Sequence, residues 1–105
     1  MQICDSIYEQ ILSGKIGLEQ RIPSVREFGS EIGVNPNTVM RSYEKLTAEG
    51  IIYNKRGIGY FTCMDAKEKI LSKEREDFIN RELPIIKQKL KLLGLDYSIF
   101  IENEQ

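Results

Sequence analysis

Apolar positions along this chain follow a helical rhythm for most of its length and a β rhythm only in one short stretch. Ile3, Ile7 and Ile11, with Tyr8 and Leu12, fall on one stripe at helical spacing. They predict a first helix over roughly 2–13, stopped by Ser13-Gly14. From Gly17 to Pro23 the pattern breaks. That segment reads as a loop with one short extended piece at Arg21-Ile22, because the residue before a proline is pushed out of the α region.

Ser24 starts the next helix. Glu27 follows it by three residues, which is the spacing of a capping box. Val25, Phe28 and Ile32 make its inward face, and Gly33 is placed to close it as a C-cap glycine. Val34 packs inward from the turn. Asn35 then caps a third helix, and Pro36 sits at its first position, where the missing N–H costs nothing. Val39, Tyr43 and Leu46 form the buried stripe of this helix, which Gly50 ends. Two short helices over 24–49, joined by a glycine-containing turn, make a helix-turn-helix.

The rhythm then changes. Ile51-Ile52-Tyr53-Asn54 and Tyr60-Phe61-Thr62-Cys63 are β-rich runs on either side of the basic glycine loop Lys55-Arg56-Gly57-Ile58-Gly59. They predict a hairpin, and a hairpin appended to a helix-turn-helix is a wing. Residues 65–77 are mostly charged, with Ile70 and Leu71 the exceptions. Beyond them Ile79, Leu83, Ile86, Leu90 and Leu93 step by four, three, four and three, a heptad seam about two heptads long. Pro84 falls inside it, removes the bond to Asn80 and forces a kink or a boundary. Gly94 ends this helix. Asp96 can cap a last one, Tyr97 to about Glu104, with Ile99 and Phe100 as its apolar face. The expected fold is mainly α with a small β-hairpin: a winged helix-turn-helix domain over 1–63, followed by a short two-helix C-terminal dimerisation tail over 64–105.

Composition sharpens this picture mostly by what it removes. With 105 residues, 41% hydrophobic and 30% charged, the chain reads as one small globular protein rich in helix. No apolar run approaches the ~20 residues of a membrane helix, and no signal peptide opens the chain, so a cytoplasmic protein without a membrane partner is expected. There is no His and no Trp, hence no imidazole chemistry and no His-liganded metal. Cys4 and Cys63 lack CxxC spacing and are expected as reduced thiols at core positions. No paired carboxylates, nucleophile–base pair or metal cluster stands out, so no cofactor or metal is expected and an enzyme is the weakest reading.

Bulk charge does not announce a nucleic-acid partner. The net charge is −1. Up to Cys63, Lys15, Arg21, Arg26, Arg41, Lys45, Lys55 and Arg56 are matched one for one by Asp5, Glu9, Glu19, Glu27, Glu31, Glu44 and Glu49. Any case for DNA rests on where the positive charges sit.

The motifs supply that case. Ile22-Pro23-Ser24-Val25-Arg26-Glu27, Gly33-Val34-Asn35-Pro36-Asn37-Thr38-Val39, Tyr43-Glu44-Lys45-Leu46, Glu49-Gly50-Ile51-Ile52 and Arg56-Gly57-Ile58-Gly59-Tyr60-Phe61 follow one another in order. This succession, through nearly all of 3–63, resembles the winged helix-turn-helix of GntR-family bacterial transcription regulators. The Asn-Pro-Asn-Thr-Val turn and the short tail resemble the YtrA-type subfamily. The resemblance implies a dimeric repressor whose tail helices pair the subunits. It also implies that Arg26 contacts DNA. Many members carry an arginine where Pro36 stands, and often another where Met40 stands, so the base contacts of those arginines do not carry over.

The partner so implied is a double-stranded DNA operator, an inverted repeat bound by a homodimer. Helix 36–48 is the recognition helix by its place in the motif, with Asn35, Asn37, Thr38 and Arg41 toward the bases. Asn37 can pair with adenine, and Arg41 with guanine or phosphate, or with Glu44. Ser24 and Arg26 open the preceding helix, whose free N–H groups suit a phosphate. Lys55, Arg56 and Gly57 form the wing tip and can follow the backbone. Tyr43 lies on the buried stripe, with its hydroxyl a candidate phosphate donor. Ile79, Leu83, Ile86, Leu90 and Leu93 are the candidate dimer interface, against packing on Ile99 and Phe100 of the same chain. The tail leaves little room for an effector pocket, so a small site at the dimer seam and no ligand at all both stay open. The alternative is a winged-helix protein-interaction module without sequence-specific DNA binding, which salt dependence separates from the first reading.

Overall fold

The computed structural model describes residues 3–102 and divides into two compact units between Ser72 and Lys73. In the first unit, helix α1 (Ile3–Leu12) buries Ile3, Cys4, Ile7, Tyr8 and Ile11, the stripe set by its helical spacing. Gln2, at the edge of the expected helix, lies outside the described residues. Helices α2 (Val25–Ile32) and α3 (Pro36–Ala48) pack together as the helix-turn-helix. Strands β1 (Ile52–Lys55) and β2 (Gly59–Thr62) pair antiparallel, with Ile52 opposite Thr62 and Lys55 opposite Gly59. The wing is thus a tight hairpin, closed by the Ile58 N–H donating to the Lys55 carbonyl at 2.9 Å.

The loop before α2 contributes a third edge. Arg21 bridges Phe61 antiparallel, the Ile22 N–H donates to the Tyr60 carbonyl at 2.9 Å, and the Thr62 N–H donates to the Gln20 carbonyl at 3.0 Å. This is the extended piece expected at Arg21-Ile22. Thr62 is the one buried polar residue of the described core, and its hydroxyl resolves that burial by donating to the Gly17 carbonyl at 2.6 Å and accepting from the Gln20 N–H at 3.0 Å.

The core centres on α3. Val39, Tyr43 and Leu46 are fully enclosed, surrounded by Ile7, Ile22, Phe28 and Ile52. Tyr43 packs edge-on to Tyr60 with ring centroids 5.0 Å apart, and against Phe28 at 6.2 Å. Helix α4 (Ala66–Asp77) adds Ala66 and Ile70, both wholly buried in the same cluster. The first compact unit therefore runs past the wing to Ser72, beyond the boundary expected after Cys63. The charged composition of 65–77 hides two apolar positions one helical turn apart.

The second unit has no such core. Helix α4 gives way to a single π-helical turn, Phe78–Glu82, and then α5 (Leu83–Leu92). Pro84 explains the change: it cannot donate to the Asn80 carbonyl, and the chain takes the wider turn in which the Leu83 N–H donates to the Phe78 carbonyl. The kink or boundary expected there is this π turn. Gly94, at φ 68°, closes α5, and the Leu95 N–H donates back to the Leu90 carbonyl at 2.8 Å. Asp96 accepts from the Ser98 N–H at 2.9 Å and caps α6 (Ser98–Glu102). The remainder of the last expected helix, residues 103 and 104, lies outside the described residues. Leu83, Ile86, Leu90 and Ile99 are half-buried, whereas Ile79 is 58% exposed and Leu93 71%. Among the described residues of this unit none is buried.

Candidate nucleic-acid interface

The sequence sets the start of each helix in the motif, and those starts hold the candidate binding groups. Ser24 Oγ accepts from the Glu27 N–H at 3.1 Å, and the Ser24 N–H donates to the Glu27 carboxylate at 2.9 Å, completing the capping box. The Ser24 N–H that donates to the carboxylate, and next the Ser24 hydroxyl beside it, hold the Glu27 carboxyl below its ordinary value, with the charge of Arg21 a smaller aid. The N–H groups of Val25 and Arg26 keep no partner inside the helix and point outward from its N-terminus. Arg26 is exposed and, among the described residues, in no ion pair. The start of α2 can thus receive a phosphate from its backbone, from the Ser24 hydroxyl proton and from the Arg26 guanidinium.

Helix α3 begins with equal definition. Asn35 Oδ1 accepts from the Asn37 N–H at 2.8 Å, and Pro36 occupies the first turn. The Asn35 cap leaves its amide N–H groups available, and Asn37 keeps its whole side chain. With Val39, Tyr43 and Leu46 facing inward, helical geometry turns Asn37 and Arg41 to the opposite side, one turn apart. Asn35, Asn37, Thr38 and Arg41 are all exposed, and Arg41 forms no ion pair with Glu44 among the described residues. Met40, 41% exposed, lies on the same helix and offers only apolar contact.

The angle between the two helices depends on Gly29, a position with no local signal in the sequence. A Cβ there would stand 2.6 Å from the Val34 carbonyl oxygen, and the Val34 N–H donates to the Gly29 carbonyl at 2.8 Å. Only glycine lets the turn lie this close to α2.

The wing tip presents Lys55, Arg56 and Gly57, all exposed. Lys55 Nζ lies 4.9 Å from the centre of the Phe61 ring, which itself stacks on Tyr53, so the ammonium is held on an aromatic face rather than free. Gly57, at φ 79°, makes the turn.

One expected contact is not available. Tyr43 is fully buried, and its hydroxyl donates to the Pro23 carbonyl at 2.6 Å. Burial first, and the charge of Glu31 second, push its phenol far above the ordinary value. Tyr43 therefore cannot offer its hydroxyl to a phosphate; it fixes the backbone one residue before the α2 cap. Arg21 is a positioning residue that the sequence did not single out. Its Nε donates to the Ile58 carbonyl at 3.3 Å, and its guanidinium lies 3.9 Å from the Glu27 carboxylate. It links the wing to the start of α2, and only the pairing of residues far apart in sequence reveals it.

The two cysteines are free thiols. Cys4 is buried and Cys63 half-buried, and burial raises both above the ordinary thiol value, which makes neither a nucleophile at neutral pH. Among the described residues no group of His, Cys, Asp or Glu could hold a metal ion, and no helix is long and apolar enough to cross a membrane.

Comparison with known proteins agrees with this geometry. Residues 1–61 match the family described as bacterial regulatory proteins, gntR family. The chain is 32% identical over 105 residues to the uncharacterized HTH-type transcriptional regulator YhcF of Bacillus subtilis (strain 168), covering 98% of this chain and 84% of that protein. It is 35% identical over 95 residues to the HTH-type transcriptional repressor YtrA of the same organism, covering 90% of this chain and 67% of the repressor. The crystal structure of a GntR-family transcriptional regulator from Bacteroides thetaiotaomicron superposes with a TM-score of 0.81 at 44% identity, over 96% of this chain and 87% of that one. A winged helix-turn-helix whose unpaired donors gather at two helix starts and a wing tip thus has relatives across its whole length, and the chain belongs to the GntR family of bacterial regulatory proteins.

Proposed function

We propose that this protein is a sequence-specific DNA-binding transcription regulator, a repressor of the YtrA type, that acts in the cytoplasm without catalysis and binds an inverted-repeat operator as a homodimer. The observation that carries the reading is the set of exposed, unpaired groups on rigidly capped elements: Arg26 at the start of α2, and Asn37 and Arg41 on the outer side of α3. Arg26, Lys55 and Arg56 serve phosphates, and Ser24 with the α2 N–H groups assists them. Asn35, Asn37, Thr38 and Arg41 face base edges in the major groove.

The exposed apolar residues of the tail support the dimer. Ile79, Leu83, Ile86, Leu90 and Leu93 make the seam, and a two-fold pair of recognition helices then meets half-sites about one DNA turn apart. Three phosphate-binding cations per subunit give about six per dimer, so log affinity should fall with log salt at a slope of about −5. Selection from a random DNA pool at two salt concentrations tests the whole reading. An enriched inverted repeat, lost at the higher salt, is expected. A folded protein that enriches nothing at low salt would instead favour the protein-interaction module.

A further inference from the structure

The winged unit contains a cavity of about 250 Å³ that the DNA reading does not use. It opens between α1, the 15–23 segment and the start of the helix-turn-helix. Its floor is apolar, made by Ile7, Ile22, Phe28 and the ring of Tyr43. Its charged lining is unbalanced: Lys15 and Arg21 are cationic and Glu31 is the single carboxylate, while Ser6, Gln10 and Gln20 add neutral polar groups. Among the described residues, the Lys15 ammonium has no ion-pair partner. An apolar floor under two cations is the chemistry that receives a small organic anion with a compact apolar body. The volume lies just below the ~300 Å³ at which drug-sized sites begin, so the ligand is small.

Arg21 gives the cavity a route to the rest of the unit. The same guanidinium that lines it donates to the Ile58 carbonyl of the wing and approaches the Glu27 carboxylate of the α2 cap, at 3.3 and 3.9 Å. Both are long, weak contacts on a half-exposed side chain, and a carboxylate inside the cavity would compete with them.

We propose that this cavity is a binding site for a small carboxylate with a compact apolar body, and that its occupancy draws Arg21 away from Glu27 and Ile58. Resting on the DNA-binding reading, the consequence is a looser wing and α2 start, and so a lower affinity for DNA. By linkage, DNA then weakens the ligand to the same degree.

The test begins without DNA. Benzoate and 4-methylpentanoate are titrated into the full-length protein and followed by proton–nitrogen NMR, with benzyl alcohol as the uncharged control. Saturable shifts are expected at the amides of Gln10, Ile16 and Ile32 and at the Arg21 Nε–H, with a millimolar midpoint for a fragment of this size. Lys15→Gln, at an exposed position, should raise the midpoint about tenfold while the melting temperature holds, and Arg21→Gln should raise it likewise. The binding site is refuted if neither acid saturates, or if benzyl alcohol gives the same shifts. A second arm measures DNA affinity with and without saturating acid. Several-fold weakening in the parent, absent in Arg21→Gln, supports the coupling; pocket shifts with unchanged DNA affinity overturn it. Because the NMR arm contains no DNA, a failure of the cavity and a failure of the DNA reading are told apart.

Discussion

The two units of this chain satisfy their apolar residues in opposite ways. In the winged unit Val39, Tyr43, Leu46, Ala66 and Ile70 are each 0% exposed, and a single cluster joins α1, α2, α3, the hairpin and the first half of α4. In the tail no described residue is buried, and Ile85, Leu92, Leu93 and Ile101 each show more than half their surface. Burying a large aliphatic side chain contributes ~1.5–3 kcal/mol, so the tail forgoes several such contributions as a single copy. The winged unit folds on itself, whereas the tail leaves apolar surface open, the surface that the proposed pairing with a second tail would cover. On the proposed reading, the part that touches DNA and the part that pairs the subunits are separate units of the chain.

The sharpest way to break that contrast is to place a charge in the tail. Leu90→Asp should yield a monomer, and operator affinity should fall by a hundredfold or more as the two binding units lose their link. The winged unit should melt as before, which thermal unfolding followed at its tyrosines would check. If affinity and mass both stay at the parent values, the seam does not pair subunits.

The next effect belongs to the winged unit's surface. Arg26→Ala removes a charged contact from each half-site, ~1 kcal/mol per copy, so affinity for an operator should fall about 30-fold with the melting temperature unchanged. Fluorescence anisotropy with a labelled operator reads the loss. Equal affinity would remove Arg26 from the interface.

Within the core, Tyr43→Phe should do the reverse of Arg26→Ala. It keeps the packing and leaves the Pro23 carbonyl without its donor, at a cost of about 1 kcal/mol, or roughly 5 °C of melting temperature. DNA affinity per folded molecule should change far less than for Arg26→Ala. A variant as stable as the parent would deny the bond its structural role.

The smallest effect is electrostatic. The Glu27 carboxyl is held below its ordinary value in the fold, so its ionised form favours the folded state. That contribution is present above the unfolded carboxyl pKa of ~4.3 and is lost as pH falls through the lower folded value. Glu27→Gln should therefore shallow the acid limb of a stability–pH curve below about pH 4 while leaving its neutral region nearly parallel. An unchanged acid limb would show that the cap does not hold the charged form.

The contrast between the units also marks what could be read from the sequence. The winged unit's helix starts are local events: Ser24 with Glu27, and Asn35 with Pro36, lie within four residues of their partners, and their types alone imply the geometry. The apolar stripes are local as well, so the burial of Tyr43 followed from its spacing to Val39 and Leu46. What Tyr43 does with its hydroxyl did not, because Pro23 lies twenty residues away. Arg21 was opaque for the same reason: its wing partner, Ile58, is thirty-seven residues distant. Gly29 looked like an ordinary helical residue until the Val34 carbonyl was seen against it. In the tail, Pro84 announced a break but not its form, since a proline is compatible with a kink, a boundary or the π turn that the chain takes.

The central claim is that the tail is incomplete as a single copy, and sedimentation equilibrium of the full chain across a wide concentration range tests it most directly. A mass of twice the chain is expected at micromolar concentration, reduced to one chain by Leu90→Asp. A parent protein that sediments as one chain throughout that range, folded and with its tail helical, would contradict it.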